Sequence, residues 1–366
     1  MGARPQFIKS APIVREILSR SSMDLRLVHT GQHYDPEMSA IFFKELQILK
    51  PALNLEAGSG SHATQTARIM QRLEEDLVEH RPDLTLVPGD TNTTLGGALA
   101  AAKLGIPVGH VEAGLRSGDL TMPEEINRKL TDHCSTMLFS PTTTASSNLR
   151  REGLTRGVWL TGDTMVDALR TTTPFVERRE KAILDEFDAD DAGYVLVTLH
   201  RPSNVDDLSR LRQIYRTLSK LADGLPVIFP VHPRTKFRLV KVGALRKGKH
   251  PALRLVNPQG YVKSLALLKN SCCLLTDSGG MQKEAFLYRV PCITLRPNTE
   301  WPETLQAGAN RLVTNLEKIP QIVSTVAVDN ELKRRIRKLR NPFGDGRAAS
   351  RIVRTIEKEL GQKRTA

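Results

Sequence analysis

From residue 25 onward, short β-branched runs alternate with amphipathic stretches: LRLVHTG, TARIMQRLEEDLVEH, DLTLVPGD, TTLGGALAAAKLG and IPVGHVEAG follow one another closely. In TARIMQRLEEDLVEH, residues Ile69, Met70, Leu73 and Leu77 fall on one face, the spacing of a helix laid over a sheet. The alternation runs on through MLFSP and VWLTGD. Repeated strand–helix–strand units fold as a mostly parallel sheet with helices on both faces.

The charged segment from Thr171 to Gly193 breaks this rhythm: it has no strand signal and ends in an Asp/Gly cluster. Beyond it the pattern restarts with YVLVTLH and continues through PVIFPVHP, LRLVNP, CCLLTDSGG, VPCITLR and RLVTN. Two doubly wound units with a boundary near Gly162 to Asp190 are expected, and 366 residues suffice for two cores. Ligands of such sheets lie beyond the C-terminal strand ends, which points to a cleft between the units. The polar motifs cluster at those ends: PGDTNTT, HVEAGLRSGD, LHRPSN, VHPRT and TDSGGMQKE each follow a strand-like run.

The bulk properties remove several classes of function. The chain is 40% hydrophobic, and no apolar run approaches the roughly 20 residues of a membrane span. The N-terminus carries no apolar signal core, so a cytoplasmic protein without membrane contacts is expected. A net charge of +13 suits an anionic partner, but aromatics are only 5%, too few to stack bases, and nucleic acid is not the expected ligand. The most basic stretch, residues 331 to 340, places Leu332, Ile336 and Leu339 on one face and reads as a solvated amphipathic helix. Cys134, Cys272, Cys273 and Cys292 show no C-x-x-C spacing and read as reduced structural thiols.

Three carboxylates, Asp90, Glu112 and Glu124, fall at or just after successive strand ends of the first unit. Singly, each fits a cap or a surface charge: Asp90 precedes TNTT as a helix N-cap would, and Glu124 follows Pro123 in a first helical turn. As a set they suit proton transfer to and from one small substrate. No second acidic or histidine cluster completes a metal site. His200 ends a strand beside Arg201, where a lone histidine is more often structural than catalytic; His232, in PVHPR, has the same two readings, and His110 and His133 are read as structural. In TDSGGMQKE, the amides of Ser278, Gly279 and Gly280 ahead of a helix from Met281 suit a phosphate, and Glu284 could accept from ribose hydroxyls.

With GARPQFIK, TGQH, GDTNTT, HVEAGLR, PEEINR, LHRPSN, PQGY, DSGGMQKE and TEWPE in this order, the chain resembles the non-hydrolysing UDP-N-acetylglucosamine 2-epimerases from Gly2 to the last helix. The resemblance implies a glycosyltransferase-B fold of two Rossmann-like domains, the first over residues 1–165 and the second, UDP-binding, over 166–344. Residues 345–366 would form a helix packing back on the first domain. It further implies interconversion of UDP-N-acetylglucosamine and UDP-N-acetylmannosamine by loss of UDP to 2-acetamidoglucal and re-addition, without a cofactor or metal, in a homodimer. A related branch acts on UDP-2,3-diacetamido-glucuronate; a hydrolysing 2-epimerase, a glycosyltransferase and a nucleic-acid-binding protein are further alternatives.

Position by position, the resemblance makes Asp90, Glu112 and Glu124 the catalytic carboxylates and His200 the histidine near the diphosphate. Arg4 and Lys9 become an N-terminal substrate-binding pair; Gln259, Ser278, Gly279, Gly280 and Glu284 become contacts to uridine, diphosphate and ribose. Gln32, His33, Arg68 and His232 resemble a second, regulatory nucleotide-sugar site. Two features depart from the family. Trp301 stands where many bacterial members have arginine, so stacking is expected in place of a charged contact. In the family an apolar strand precedes the glycine of GARPQFIK, so the first strand of the N-terminal sheet is expected to be missing here, weakening that domain.

Overall fold

Every strand pairing among the described residues is parallel. The computed structural model describes residues 1–2, 4–31, 45, 48–189, 193–244 and 250–365. Its strands are β1 (Val28–His29), β2 (Leu53–Asn54), β3 (Thr85–Pro88), β4 (Val108–Val111), β5 (Met137–Ser140), β6 (Val158–Leu160), β7 (Val195–Thr198), β8 (Val227–Pro230), β9 (Leu253–Val256), β10 (Cys273–Thr276), β11 (Cys292–Thr294) and β12 (Asn310–Leu312). The chain divides into two compact units, one of Met1–Thr172 with Asn341–Ala366, the other of Thr173–Arg340.

In the first unit β3, β4, β5 and β6 pair in that order, and β1 pairs with β2 separately. The run LRLVHTG therefore yields a strand of only two residues. Met1 takes a strand neighbour's place beside it: its amino nitrogen donates to the Val28 carbonyl (2.8 Å), and Thr30 N–H donates to the Met1 carbonyl (2.8 Å). One face of the four-stranded sheet packs Val111, Met137 and Phe139 against Ile13 and Ile17 of helix Arg4–Leu18 and Ile352, Val353 and Ile356 of helix Ala348–Thr365. The opposite face packs Val87 and Val108 against Leu73 and Leu77 of helix His62–His80 and Ala98 and Ala101 of helix Asn92–Lys103. Burial on both faces explains why these strands read as continuous apolar runs.

The second unit carries a six-stranded sheet in the order β12-β11-β10-β7-β8-β9. Strand order reverses at the β10–β7 pair, where Cys273 lies opposite Val195 and Thr276 opposite Thr198. That reversal is the switch point of a doubly wound sheet, so the residues following β7 and β10 face the same crevice. Helix Leu208–Ala222 buries Leu211, Ile214, Leu218 and Leu221 against Val195, Val197, Val227 and Phe229. All four cysteines are free thiols, and in helix Asn330–Arg337 the expected apolar face is seated through Ile336. No described helix is long and apolar enough to cross a membrane.

Two local readings need correction. Asp90 is not the cap of helix Asn92–Lys103; Thr91 is, with its N–H donating to Thr94 Oγ1 (3.1 Å), which frees the Asp90 carboxylate for a tertiary partner. The helix after β10 begins at Gly279, not Met281, because Ser278 serves as its cap and accepts from Met281 N–H (3.5 Å).

Candidate active site

Glu112 follows β4 directly, and Asp90 follows the adjacent parallel strand β3 after one residue, Gly89. Glu112 is 3% exposed and forms an ion pair with Lys9 Nζ, itself buried on helix Arg4–Leu18. Its backbone has φ +71°, in the left-handed region, a strain of about 1–2 kcal/mol that gathers at functional sites. Asp90 accepts from Arg128 Nη2 (2.6 Å) and Nε (3.0 Å), and its carbonyl accepts from Asn127 Nδ2 (3.0 Å). Arg128 is buried and donates its other arm to Glu125 Oε2 (2.8 Å).

Glu125 also accepts from the N–H groups of Ser117 (2.9 Å) and Gly118 (3.0 Å), which fastens the loop after β4 to helix Pro123–Cys134. Burial works to raise this carboxyl, but those amides and Arg128 outweigh it and hold it below its usual range. Glu124, one residue earlier, is half-buried and has no partner among the described residues. The neighbours Glu124 and Glu125 thus divide into an unpaired carboxylate and a structural one.

Gly89, between β3 and Asp90, has φ +74°, and a Cβ there would stand 3.4 Å from Lys9 Nζ and 3.8 Å from Glu112 Oε2. Gly89→Ala is expected to strain the turn by about 1–2 kcal/mol and push on the ion pair. Thermal unfolding should fall by about 2–8 °C. A kcat loss exceeding what the unfolded fraction explains would show that the pair's position matters.

In the second unit His200 and Asp277 follow β7 and β10, the strands at the switch point. Asp277 is fully buried and accepts from His200 N–H (3.1 Å), Arg201 N–H (3.0 Å) and Asn204 Nδ2 (3.0 Å). Its Oδ1 lies 3.3 Å from His200 Nδ1, so the half-exposed imidazole is oriented from behind with Nε2 left over. Ser278, Gly279 and Gly280 are partly exposed, and the amides of a first helical turn lie outside the helix's own ladder. Glu284 sits one turn in and is buried, and half-buried Gln259 donates to the Asn257 carbonyl (2.6 Å).

Gly279 is needed for close approach: a Cβ there would fall 2.0 Å from Glu300 Oε1. Glu300 Oε2 lies 2.7 Å from Arg296 Nη1. Trp301 is buried, with Lys283 Nζ 3.9 Å from its ring centre. The indole therefore holds an interior ammonium rather than offering a stacking surface, which corrects the expectation drawn from its place in TEWPE.

Gln32 and His33 lie outside the described residues, as does the side chain of Arg4, whose backbone opens helix Arg4–Leu18. Arg68 is exposed on helix His62–His80, and His232 is exposed after β8.

A family model described as UDP-N-acetylglucosamine 2-epimerase matches residues 15–357. The chain belongs to the UDP-N-acetylglucosamine 2-epimerase family. A UDP-N-acetylglucosamine 2-epimerase homolog of Methanococcus maripaludis is 46% identical over 358 residues, covering 97% of this chain and 98% of the relative. The UDP-N-acetylglucosamine 2-epimerase of Methanocaldococcus jannaschii is 45% identical over 363 residues, 97% of each chain. A crystal structure of the latter epimerase, in complex with UDP-GlcNAc and UDP, superposes with a TM-score of 0.90 at 43% identity over 98% of both chains. The expected α/β class with parallel sheets is thereby borne out, as is the family.

Arg128 binds the candidate Asp90, Glu125 binds Arg128 and Asp277 binds the His200 backbone, and the strand-end motifs did not single these three out. Glu125 and Arg128 stand three apart on one helix, a spacing that brings side chains together, and this was the available signal. Asp277 directly precedes the Ser-Gly-Gly turn.

Proposed function

We propose that this chain interconverts UDP-N-acetylglucosamine and UDP-N-acetylmannosamine by eliminating UDP and adding it back. The observation that carries this reading is the Asp90–Glu112 pair: two carboxylates at adjacent strand ends, each fastened to a buried cation. The C2 hydrogen of the sugar is not acidic, and its removal becomes feasible only as the C1–O bond breaks and UDP leaves with the bonding electrons. Carboxylates are of the right basicity to take that proton and to return one on the other face of 2-acetamidoglucal, while UDP re-forms the C1 bond. Glu124 supplies a third carboxylate, with no partner among the described residues to compete for it.

Lys9 uses one of its three N–H donors on Glu112 and keeps two for an anion, with Arg4 beside it in sequence. In the second unit the first-turn amides at Ser278, Gly279 and Gly280, with His200, suit a diphosphate, and Gln259 and Glu284 suit uridine and ribose. Gln32, His33, Arg68 and His232 are kept as a proposed regulatory set. The cytoplasm as compartment and a homodimer as assembly belong to the same proposal.

Turnover of UDP-N-acetylglucosamine in heavy water, followed by proton NMR, tests this reading. UDP-N-acetylmannosamine carrying deuterium at C2 is the expected product. Product without deuterium would overturn the elimination, free N-acetylmannosamine with UDP would indicate a hydrolysing enzyme, and turnover only of UDP-2,3-diacetamido-glucuronate would overturn the substrate.

A further inference from the structure

His110 lies on β4, two residues before Glu112, and is fully buried. Its Nδ1 is 2.6 Å from Asp132 Oδ1, and its Nε2 is 2.7 Å from the Gly89 carbonyl oxygen. A carbonyl can only accept, so Nε2 must carry a hydrogen. Asp132 is buried, and its other oxygen accepts from Gly114 N–H (3.1 Å) and Arg116 Nη1 (2.7 Å). Burial raises the Asp132 carboxyl, but His110 and Arg116 outweigh it and leave it below its usual range, as an acceptor. Both ring nitrogens of His110 are thus engaged, Nδ1 by the Asp132 carboxylate and Nε2 by the Gly89 carbonyl. Behind Arg116 stands Glu152, which accepts from Nη2 (2.6 Å) and Nε (2.8 Å).

The sequence offered no use for His110, and a core histidine needs only one good partner. This one is spent on the single carbonyl between β3 and Asp90, at a residue whose φ is positive and whose Cα borders the Lys9–Glu112 pair. We propose that His110 is a positioning residue for the reaction: backed by Asp132, it locks the Gly89 carbonyl and so sets where Asp90 and Glu112 stand relative to each other. It touches no reacting atom, and it rests on the epimerase reading given above. Such groups act by holding others within a fraction of an ångström of productive geometry.

Two variants separate this role from plain core support. In His110→Gln the amide nitrogen reaches as far as Nε2 and keeps the Gly89 contact; in His110→Asn the amide reaches Asp132 and abandons Gly89. Both lose one hydrogen bond and the ring. His110→Asn is expected to lower kcat by about 30–100-fold with KM for UDP-N-acetylglucosamine changed less than about threefold, while His110→Gln stays within about fivefold of wild-type kcat. A folded His110→Asn with wild-type kcat overturns the proposal, and so does a folded His110→Gln that loses 100-fold or more, so either variant alone suffices if the other fails to fold. Wild-type protein run alongside must place deuterium at C2; if it does not, the epimerase reading fails and not the role of His110.

Discussion

Glu112→Gln is expected to lower kcat by about 10²–10⁴-fold, the range a positioned acid or base contributes. It is also expected to destabilise the first unit, because Lys9 is 8% exposed and would keep its charge without a countercharge. Removing one partner of a buried pair typically costs about 3–5 kcal/mol, less where the replacement keeps an acceptor, as glutamine does. The two effects can be pulled apart. Lys9→Met with Glu112→Gln removes both charges at nearly constant volume and should recover most of the lost thermal stability, while kcat stays low. Chromatographic assay of product at saturating substrate, beside thermal unfolding of both variants and the wild type, checks this. A Glu112→Gln enzyme within tenfold of wild-type kcat would remove Glu112 from the chemistry.

What the sequence could disclose follows the distance over which each interaction acts. The βα rhythm is local, so the parallel sheets and the clustering of polar motifs at strand ends are readable in the sequence. Asp90 and Glu112 could be picked out because parallel neighbouring strands bring their ends together whatever the loops do. Their ion pairs could not: Lys9, singled out only as a substrate contact, meets Glu112 across 103 positions and Arg128 meets Asp90 across 38, and no periodicity links such pairs. Trp301 misled for the same reason, since a residue next to a ligand-type motif can still face inward, here over Lys283. Asp90 looked like a helix cap because one residue's shift, from Asp90 to Thr91, separates a capping role from a tertiary one.

Arg128→Met carries the largest expected loss of stability. The Arg128 side chain is 2% exposed and joins two carboxylates, Asp90 at 26% side-chain exposure and Glu125 at none. Asp90 can turn to solvent when its partner goes; Glu125 cannot, and it is left as a buried charge held only by the Ser117 and Gly118 groups. A loss of about 3–5 kcal/mol follows, which for a unit of this size lowers the unfolding temperature by about 6–20 °C. The pH dependence has a definite sign. The Glu125 carboxyl is lowered in the folded chain, so its contribution is present above its unfolded pKa and is lost as pH falls through the folded value. The deficit of Arg128→Met should therefore be full at pH 7 and shrink as the solution is made acid, because the carboxyl takes up a proton in the variant before it does in the wild type. Adding Glu125→Gln removes the stranded charge and should return part of the stability at pH 7. Activity should not return with it, since Asp90 still lacks the arm that aims it; a double variant that recovers both would show that Arg128 serves the loop and not the carboxylate.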